Sequence, residues 1–319
     1  MPINSSVPLQ IPQARAAGTQ QVKGVSAKRA GSIPPTALVL LSAVSLEFGG
    51  ALAKMLFAAL GPAGAVTVRV GLAAVALLCI WRPNLRHLSR SCIGTVMPFG
   101  LALAAMNLTF YLALSRVPLG VAVTVELVGP LGVAAVYSRR WTDLLWVLLA
   151  ATGIAAFAPI SIGTSAGLDP LGLGLSMLSG VFTAVYMLLS ARTGRVFANG
   201  SGLALAMAVA AIALLPIGIT RAEMGLRLHP NLLLVGAAVA LLSSVVPYSL
   251  ELAALRQLPT RVFGILVSLE PALAAGAGWL VLHEQLEPRS LIGIALVTAA
   301  SAGAARAHCG TCSPASAQV

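Results

Sequence analysis

The chain has 319 residues, of which 58% are hydrophobic and only 9% are charged. Soluble domains contain roughly 25% charged residues, so this composition and a mean hydropathy of +0.93 exclude an ordinary soluble protein. The net charge of +11 does not indicate nucleic-acid binding, because the basic residues are scattered through short loops and form no single basic face. Apolar runs of about twenty residues, each able to cross ~30 Å of hydrocarbon as a helix, follow one another from Thr36 to Ala307.

The chain begins with a polar segment, residues 1–35, that contains no acid. It lacks the apolar core and cleavage site of a signal peptide, so we predict a disordered cytoplasmic tail. Ten transmembrane helices follow, because a backbone in lipid must satisfy its own hydrogen bonds. Their predicted bounds are 36–58, 64–82, 92–114, 117–138, 141–160, 169–191, 201–219, 231–255, 261–282 and 289–307. A second cytoplasmic tail is predicted at 308–319.

The basic residues near or beyond the ends of these spans predict the orientation of the helices, because cytoplasmic loops are enriched in lysine and arginine. With a cytoplasmic N-terminus, fourteen of them fall on the cytoplasmic side: Arg15, Lys23, Lys28, Arg29, Arg82, Arg86, Arg90, Arg139, Arg140, Arg192, Arg195, Arg256, Arg261 and Arg306. The opposite side has only four: Arg116, Arg221, Arg227 and Arg289. We therefore predict a multi-pass protein of the inner (plasma) membrane with both termini in the cytoplasm.

Helices one to five resemble helices six to ten. Residues 41–48 match residues 175–182 at four positions, and residues 114–118 align with residues 255–259 at the same place in each half. Since five is an odd number, the second copy enters the membrane from the other side, as in the inverted repeats of secondary transporters. The sequence predicts an all-α membrane protein built from two such repeats, 36–161 and 169–307. The alternative is chance similarity among helices rich in Ala and Leu.

Six ionisable residues fall inside the predicted spans and away from the first and last few residues: Glu47, Lys54, Arg69, Glu126, Glu251 and Glu270. A charged side chain at the centre of a spanning helix costs roughly 2.5–3.5 kcal/mol, and such residues mark transport pathways by default. In helix one, Glu47 and Lys54 share a face because seven residues make almost two turns. Two structural alternatives remain open here. Lys54 extends to the membrane surface, or Glu47 forms an ion pair with Lys54 or Arg69.

Prolines are predicted to break helices beside these acids. Pro130 removes the N–H that would bond the Glu126 carbonyl, and Pro271 directly follows Glu270. Broken helices with acids near the bilayer midplane are typical of transporter sites, although the prolines could simply bend packed helices. A third combination of this kind, in helix eight, comprises Pro247, Tyr248 and Glu251.

Polar residues also follow one face of helices three and six. They either line a cavity or form interhelical hydrogen bonds worth about 0.6 kcal/mol each. Helix three contributes Asn107 and Tyr111, and helix six contributes Ser176, Ser179, Thr183 and Tyr186.

Motifs for enzymes, metals and cofactors are incomplete. No lysine follows a glycine-rich phosphate loop, and Glu287 stands where the second histidine of a zinc-protease motif beginning at His283 must be. Cys309 and Cys312 have CxxC spacing, but no second ligand pair accompanies them. We predict that the protein is no enzyme and needs no cofactor or metal.

The chain resembles the EamA-type transporters of the drug/metabolite transporter superfamily, and within them the threonine/homoserine exporter branch. The resemblance covers about residues 36–307. The matching stretches include 51–54, 107–111, 117–126, 129–130, 247–251, 258–261 and 268–271, together with Arg69. This resemblance implies ten helices, export of small amino acids or related metabolites, and coupling to the proton gradient. At the position of Glu47 the family pattern has glutamine.

These observations predict a proton-coupled exporter of a small zwitterion, such as threonine or homoserine, that works by alternating access. In this hypothesis Lys54 and Arg69 attract the carboxylate, Glu126 holds the ammonium group, and Glu270 carries the proton. The predicted substrate-binding residues are Glu47, Lys54, Arg69, Asn107, Tyr111, Glu126, Tyr186 and Tyr248. The predicted proton-coupling residues are Glu126, Glu251 and Glu270.

The partners expected from this reading are the substrate, protons and membrane lipid, and no nucleic acid. An exporter of amphipathic drugs or other metabolites is the first alternative, with the buried charges serving gating. A membrane sensor or scaffold without flux is the second.

Overall fold

The computed structural model describes residues 34–83, 90–137, 141–155, 168–197, 200–255, 257–258 and 260–307. Every regular element in these ranges is helical, as the composition predicts. The predicted C-terminal tail, the CxxC pair and all but the last residues of the predicted N-terminal tail lie outside the described residues.

The described residues of the first half of the chain form six helices: α1 (Pro35–Met55), α2 (Phe57–Trp81), α3 (Arg90–Leu114), α4 (Leu119–Glu126), α5 (Val128–Tyr137) and α6 (Trp141–Ala155). The second half forms α7 (Pro170–Val196), α8 (Ser201–Leu228), α9 (Leu232–Ala240), a π-helical turn (Leu241–Val245), α10 (Val246–Leu255), α11 (Thr260–Val267), α12 (Glu270–Leu282) and α13 (Pro288–Ala307).

Seven stretches of the described chain are long and apolar enough to cross a membrane: 35–55, 57–81, 92–114, 170–194, 201–228, 232–251 and 265–282. A shorter apolar stretch covers 119–132. The length and composition of these helices confirm a multi-pass helical membrane protein.

Two predicted spans are broken where proline removes a backbone donor. The span predicted at 117–138 consists of α4 and α5, which part at Leu127, three residues before Pro130. The span predicted at 261–282 consists of α11 and α12, and α12 begins at Glu270 with Pro271 in its first turn. Each break therefore leaves one acid, Glu126 or Glu270, at a helix end inside the bundle.

Other helix ends differ from the prediction for local reasons. α8 continues to Leu228 instead of ending at 219, and an ion pair between Glu223 and Arg227, one turn apart, lies in this extension. α1 ends at Met55 instead of 58. α2 begins before the predicted break and is kinked at Gly61, whose φ of 64° is open to glycine.

Helix packing places the breaks at the centre of the bundle. α2 packs against α8, α3 against α7, α6 against α13, α1 against α10 and α12, and α4 against α7 and α12. Two close approaches between helical segments depend on glycine. A Cβ on Gly49 would lie 2.7 Å from Ser243 Cβ, and one on Gly180 would lie 2.5 Å from the backbone oxygen of Glu126. α1 thus packs directly on the π-helical turn, and α7 packs directly on the end of α4.

Candidate functional site

Arg69 of α2 is held in the centre of the bundle by a network of neutral acceptors. Its Nη1 donates to Asn107 Oδ1 at 3.1 Å and to the Tyr111 hydroxyl at 3.2 Å. Its Nη2 donates to the Ser243 carbonyl at 2.8 Å, and its Nε donates to Ser244 Oγ at 3.3 Å. The guanidinium carbon also lies 5.3 Å from the centre of the Tyr111 ring. α2, α3 and the π-helical turn therefore fix this side chain together.

The Ser243 carbonyl is free to accept from Arg69 because of a proline. Pro247 has no N–H to donate to the carbonyl four residues earlier, and the chain forms the π-helical turn over Leu241–Val245 instead. On the other side, Asn107 Nδ2 donates to the Leu103 carbonyl at 2.8 Å, which turns the amide oxygen of Asn107 towards Arg69.

The guanidinium of Arg69 has no carboxylate partner among the described residues. Its side chain is only 6% exposed, yet no acid lies within the 4.0 Å of an ion pair. Four hydrogen bonds to described residues use four of the five N–H donors of an arginine. A buried cation in this state has its charge balanced by neutral acceptors alone among the described residues.

Glu126 at the end of α4 is bonded to hydroxyl groups of α7. Its Oε1 accepts from Ser179 Oγ at 2.7 Å and from Thr183 Oγ1 at 2.8 Å. Gly180 lies between these two donors in sequence and lets the helices touch. The predicted polar face of helix six thus makes interhelical hydrogen bonds at these two positions.

Glu47 and Glu270 have a different environment. Glu47 is only 4% exposed, and its carboxylate has no hydrogen bond or ion pair with any described residue. It interacts electrostatically with Glu270 and Glu126, and Glu270 interacts with Glu251 and Glu126. The structural ion pair between Glu47 and Lys54 or Arg69 is therefore not formed.

Tyr186, Tyr248 and Glu251 form the wall of a cavity of about 170 Å³. The Tyr186 ring is stacked on Phe99, with 5.3 Å between ring centres. Ser42 of α1 donates to Glu251 Oε1 at 2.9 Å. The remaining lining residues are Trp81, Ser190, Thr193, Gly194, Phe197, Gly200, Gly202 and Leu203.

The cavity lies towards one end of the bundle. Trp81 is the last residue of α2, Phe197 directly follows α7, and Gly200 directly precedes α8, so we name this the Trp81 end. The predicted orientation places it on the cytoplasmic side. Trp81 and Gly200 pack so closely that a Cβ on the glycine would overlap the indole ring.

Lys54 does not join this group of residues. It lies in the last turn of α1, and its Nζ donates to Glu284 Oε1 at 2.6 Å and to the Val117 carbonyl at 3.1 Å. The second oxygen of Glu284 accepts from the backbone N–H of Leu119 at 2.9 Å. Lys54 is thus paired, and it does not simply extend to the membrane surface.

Sequence reasoning overlooked three parts of this arrangement. It named Ser179 and Thr183 without their acceptor, and it missed Ser243 and the pairing of Glu284. The proline four residues after Ser243 was a usable signal, since it frees that carbonyl. Glu284 carries no comparable local signal, because its partner lies 230 residues away in sequence.

The central group therefore combines one cation with four acids: Arg69 with Glu47, Glu126, Glu251 and Glu270. Such an excess of carboxyl groups inside the bundle is stable only if protons or a cationic group compensate the negative charge. Within the described ranges, no cluster of three or more His, Cys, Asp or Glu residues has the arrangement of a metal site.

Comparison with known proteins places this architecture in a family. The profile of the EamA-like transporter family matches residues 170–305. The threonine/homoserine exporter RhtA of Escherichia coli (strain K12) is 37% identical over 269 residues, which cover 84% of this chain and 90% of that protein. The exporter of the same name from Salmonella typhimurium (strain SL1344) is 38% identical over the same shares.

A solved structure shares the fold at low sequence identity. The crystal structure of a protein that is 16% identical covers 86% of this chain and 98% of its own, with a TM-score of 0.55. The sequence relatives and the family profile together identify the family: the chain belongs to the EamA-like transporters and resembles their RhtA branch.

Proposed function

We propose that the protein is a secondary active exporter of small amino acids of the threonine or homoserine type, coupled to the proton gradient by alternating access. The observation that carries this proposal is the buried Arg69 guanidinium, which has no carboxylate partner among the described residues and stands among four acids. The threonine/homoserine exporters that are 37–38% identical support the substrate class.

The charges of a zwitterion complement this site. Arg69 binds the carboxylate with its remaining N–H donor, and Asn107 and Tyr111 hold the guanidinium in place. Glu126, fixed by α7, binds the ammonium group. The carboxylate of the substrate therefore compensates the charge of Arg69, and its ammonium group compensates the charge of Glu126.

Protons compensate the negative charges of the acids that do not bind the substrate. Glu270 has no hydrogen bond to a described residue and interacts with the negative charges of Glu251 and Glu126, so it is the proposed proton carrier. Glu251, Tyr186 and Tyr248 line the cavity, and Glu251 interacts electrostatically with Glu270. Lys54 is engaged by Glu284 here, and its predicted contact with substrate stays a prediction.

Alternating access in this proposal uses ten transmembrane segments in two inverted repeats, with both termini in the cytoplasm. The first repeat contains α1 to α6 and the second contains α7 to α13. Helix contacts support this arrangement, because they come in pairs that the two repeats exchange. The contact of α1 with α10 corresponds to that of α7 with α3, and the contact of α1 with α12 corresponds to that of α7 with α5. The pairs α2 with α8 and α6 with α13 map onto themselves.

Transport into inverted inner-membrane vesicles tests the proposal. We expect an imposed pH gradient to drive uptake of labelled threonine or homoserine by the wild-type protein. Glu126→Gln is expected to weaken substrate binding, and Glu270→Gln is expected to abolish the response to the gradient. Normal transport by both variants would contradict the roles assigned to these acids.

Export of amphipathic drugs or other metabolites is the second candidate. The aromatic residues Trp81, Phe99 and Phe197 around the cavity favour it, because such walls suit apolar substrates. Profiling of all metabolites secreted by overexpressing cells separates the two functions. Accumulation of threonine or homoserine outside the cells supports the first, and accumulation of unrelated apolar compounds supports the second.

A further inference from the structure

The end of the bundle opposite the Trp81 end is closed by one carboxylate. Glu284 follows α12 and uses both oxygens, one for the ammonium group of Lys54 at 2.6 Å and one for the backbone N–H of Leu119 at 2.9 Å. Lys54 also donates to the Val117 carbonyl. We name these contacts the outer latch. They tie together the end of α1, the beginning of α4 and the segment after α12.

The chain is shaped to bring Glu284 into this position. His283 has a φ of 54°, in the left-handed region, and the N–H of Glu284 donates back to the Gly278 carbonyl at 3.1 Å. Gly278 leaves the space that the carboxylate occupies, since a Cβ there would lie 2.5 Å from Glu284 Oε2. The side chains of Lys54 and Glu284 are only 24% and 13% exposed.

The helices that meet at the latch also carry the acids of the central group. α4 runs from Leu119, beside the latch, to Glu126, and α12 runs from Glu270 to Leu282, just before the latch. α4 and α12 pack on each other, with Gly120 against Ala275. A change in the relative position of these two helices therefore alters the latch and the centre together.

The two ends of the molecule differ in access. At the Trp81 end, the cavity extends to Glu251 and Tyr248. At the other end, the latch covers the face of α1 that leads from Lys54 through Gly50 to Glu47. The structure thus has a cavity at one end and the latch at the other, an asymmetry expected of one state of an alternating-access cycle.

We propose that Glu284 is the positioning residue of an external gate, which holds Lys54 and the start of α4 together until the transporter opens outwards. This inference rests on the proposed transport function and orientation. Opening requires Glu284 to release Lys54 and the Leu119 N–H. The Lys54 ammonium group is then free to meet the carboxylate of the departing substrate.

A cysteine placed behind the latch reports on the gate. Gly50 lies one turn below Lys54, and a Cβ there would meet only Leu119 Cδ1 at an ordinary 3.6 Å. The reporter is Gly50→Cys in a chain whose native Cys79, Cys92, Cys309 and Cys312 are replaced by serine. A membrane-impermeant, charged methanethiosulfonate reagent is added outside right-side-out vesicles, and the labelling rate is measured.

Two variants release the carboxylate by different means. Glu284→Gln removes its charge, and Gly278→Ala displaces it while keeping the charge. We expect each to speed labelling by about tenfold, the factor that the loss of one hydrogen bond between charged groups implies. Two matched controls are expected to label at the parent rate. The first control is Gly276→Ala, in which the added methyl group extends into open space from the helix that also carries Gly278.

The second control, Asp169→Asn, copies the chemistry of the latch at an exposed site. Asp169 also pairs with a cation, Arg116 at 2.9 Å, and accepts a backbone N–H, from Leu171 at 3.0 Å. Because both carboxylates make the same types of contact, a difference between Asp169→Asn and Glu284→Gln shows that the location of the carboxylate matters.

The outcomes separate the gate from the transport function. Equal labelling of the parent, Glu284→Gln and Gly278→Ala overturns the gate, and so does equal acceleration in the two controls. The charge swap Lys54→Glu with Glu284→Lys is expected to restore slow labelling in part, and rapid labelling of the swap would count against a role for the pair. If labelling responds as expected but threonine flux is absent, the gate stands and the proposed substrate fails.

Discussion

Both helix breaks lie beside a proline, but the acids at the two breaks have different surroundings. At the first, Pro130 follows α4, and Glu126 accepts hydrogen bonds from Ser179 and Thr183. At the second, Pro271 follows Glu270, whose carboxylate has no hydrogen bond within the described part of the chain. Glu270 instead interacts with the negative charges of its neighbours.

The difference comes from the helix that covers each break. α7 brings two hydroxyl groups and a glycine to the first break, so the carboxylate of Glu126 is fixed in direction. α1 brings Glu47 near the second, which adds repulsion and no donor. A fixed carboxylate suits a substrate ammonium group, and an acid without fixed donors suits a proton that must come and go.

The largest effect is expected from forcing α7 away from the first break. Gly180→Ala places a methyl group 2.5 Å from the Glu126 backbone oxygen, so the helices must separate. Overpacking of this kind costs about 1–3 kcal/mol, and we expect a lower melting temperature and loss of most transport. Gly174→Ala, in the same helix but facing open space, serves as the control for thermal stability and flux. Equal behaviour of the two variants would contradict the close contact.

Removing only the donors makes Glu126 more like Glu270. Each hydrogen bond to a charged group contributes about 1.5–3 kcal/mol, so Ser179→Ala combined with Thr183→Val should weaken threonine binding by at least about tenfold. Binding to the purified protein measures this effect. Ser176→Ala is the control, because Ser176 Oγ bonds the Gly172 carbonyl within α7. Unchanged affinity in the double variant would remove the ammonium role from Glu126.

The environment of Glu270 is altered from the other side by Glu47→Gln, which keeps the shape of the side chain and removes one negative charge. Because Glu47 interacts with Glu270 and Glu126, we expect a changed dependence of transport on pH with little loss of stability. Flux measured across a pH series checks this. An unchanged profile would assign Glu47 to structure alone.

The smallest effect is expected at Asp169, an acid outside the spanning segments. The hydrogen bond from Arg116 and that from the Leu171 N–H lower the pKa of Asp169 below its ordinary value of 3.8. A lowered folded pKa stabilises the protein above pH 3.8 and loses this contribution as the pH falls through the folded pKa. The side chains of Arg116 and Asp169 are 43% and 35% exposed, so salt screens the pair. Asp169→Asn should leave transport and the melting temperature at pH 7 unchanged, whereas a large drop in either would place this pair in the mechanism.

Local rules predicted the parts of the fold that depend on neighbours in sequence. Pro130 and Pro271 identified both breaks, because a missing N–H acts within one turn. The apolar lengths predicted a multi-pass helical membrane protein, and five of the six ionisable residues inside the predicted spans belong to the central group. The extension of α8 to Leu228 escaped prediction, since its last turns are polar and contain the Glu223–Arg227 pair.

Contacts between distant segments could not be read in this way. The pairing of Lys54 with Glu284 depends on the left-handed conformation of His283 and on the space above Gly278. The bonds from Ser179 and Thr183 to Glu126 depend on how closely α7 approaches α4. Pattern analysis places a residue on a face of its helix, but the partner across that face is set by packing.

The most direct test of the account is to separate gradient-driven transport from exchange in proteoliposomes. For Glu270→Gln we predict that accumulation of labelled threonine under an imposed pH gradient falls by about a hundredfold, ~2.7 kcal/mol, while exchange of labelled for unlabelled threonine continues. For Glu126→Gln we predict that both activities fall together. Full gradient-driven accumulation by Glu270→Gln would contradict the assignment of the proton to the second break.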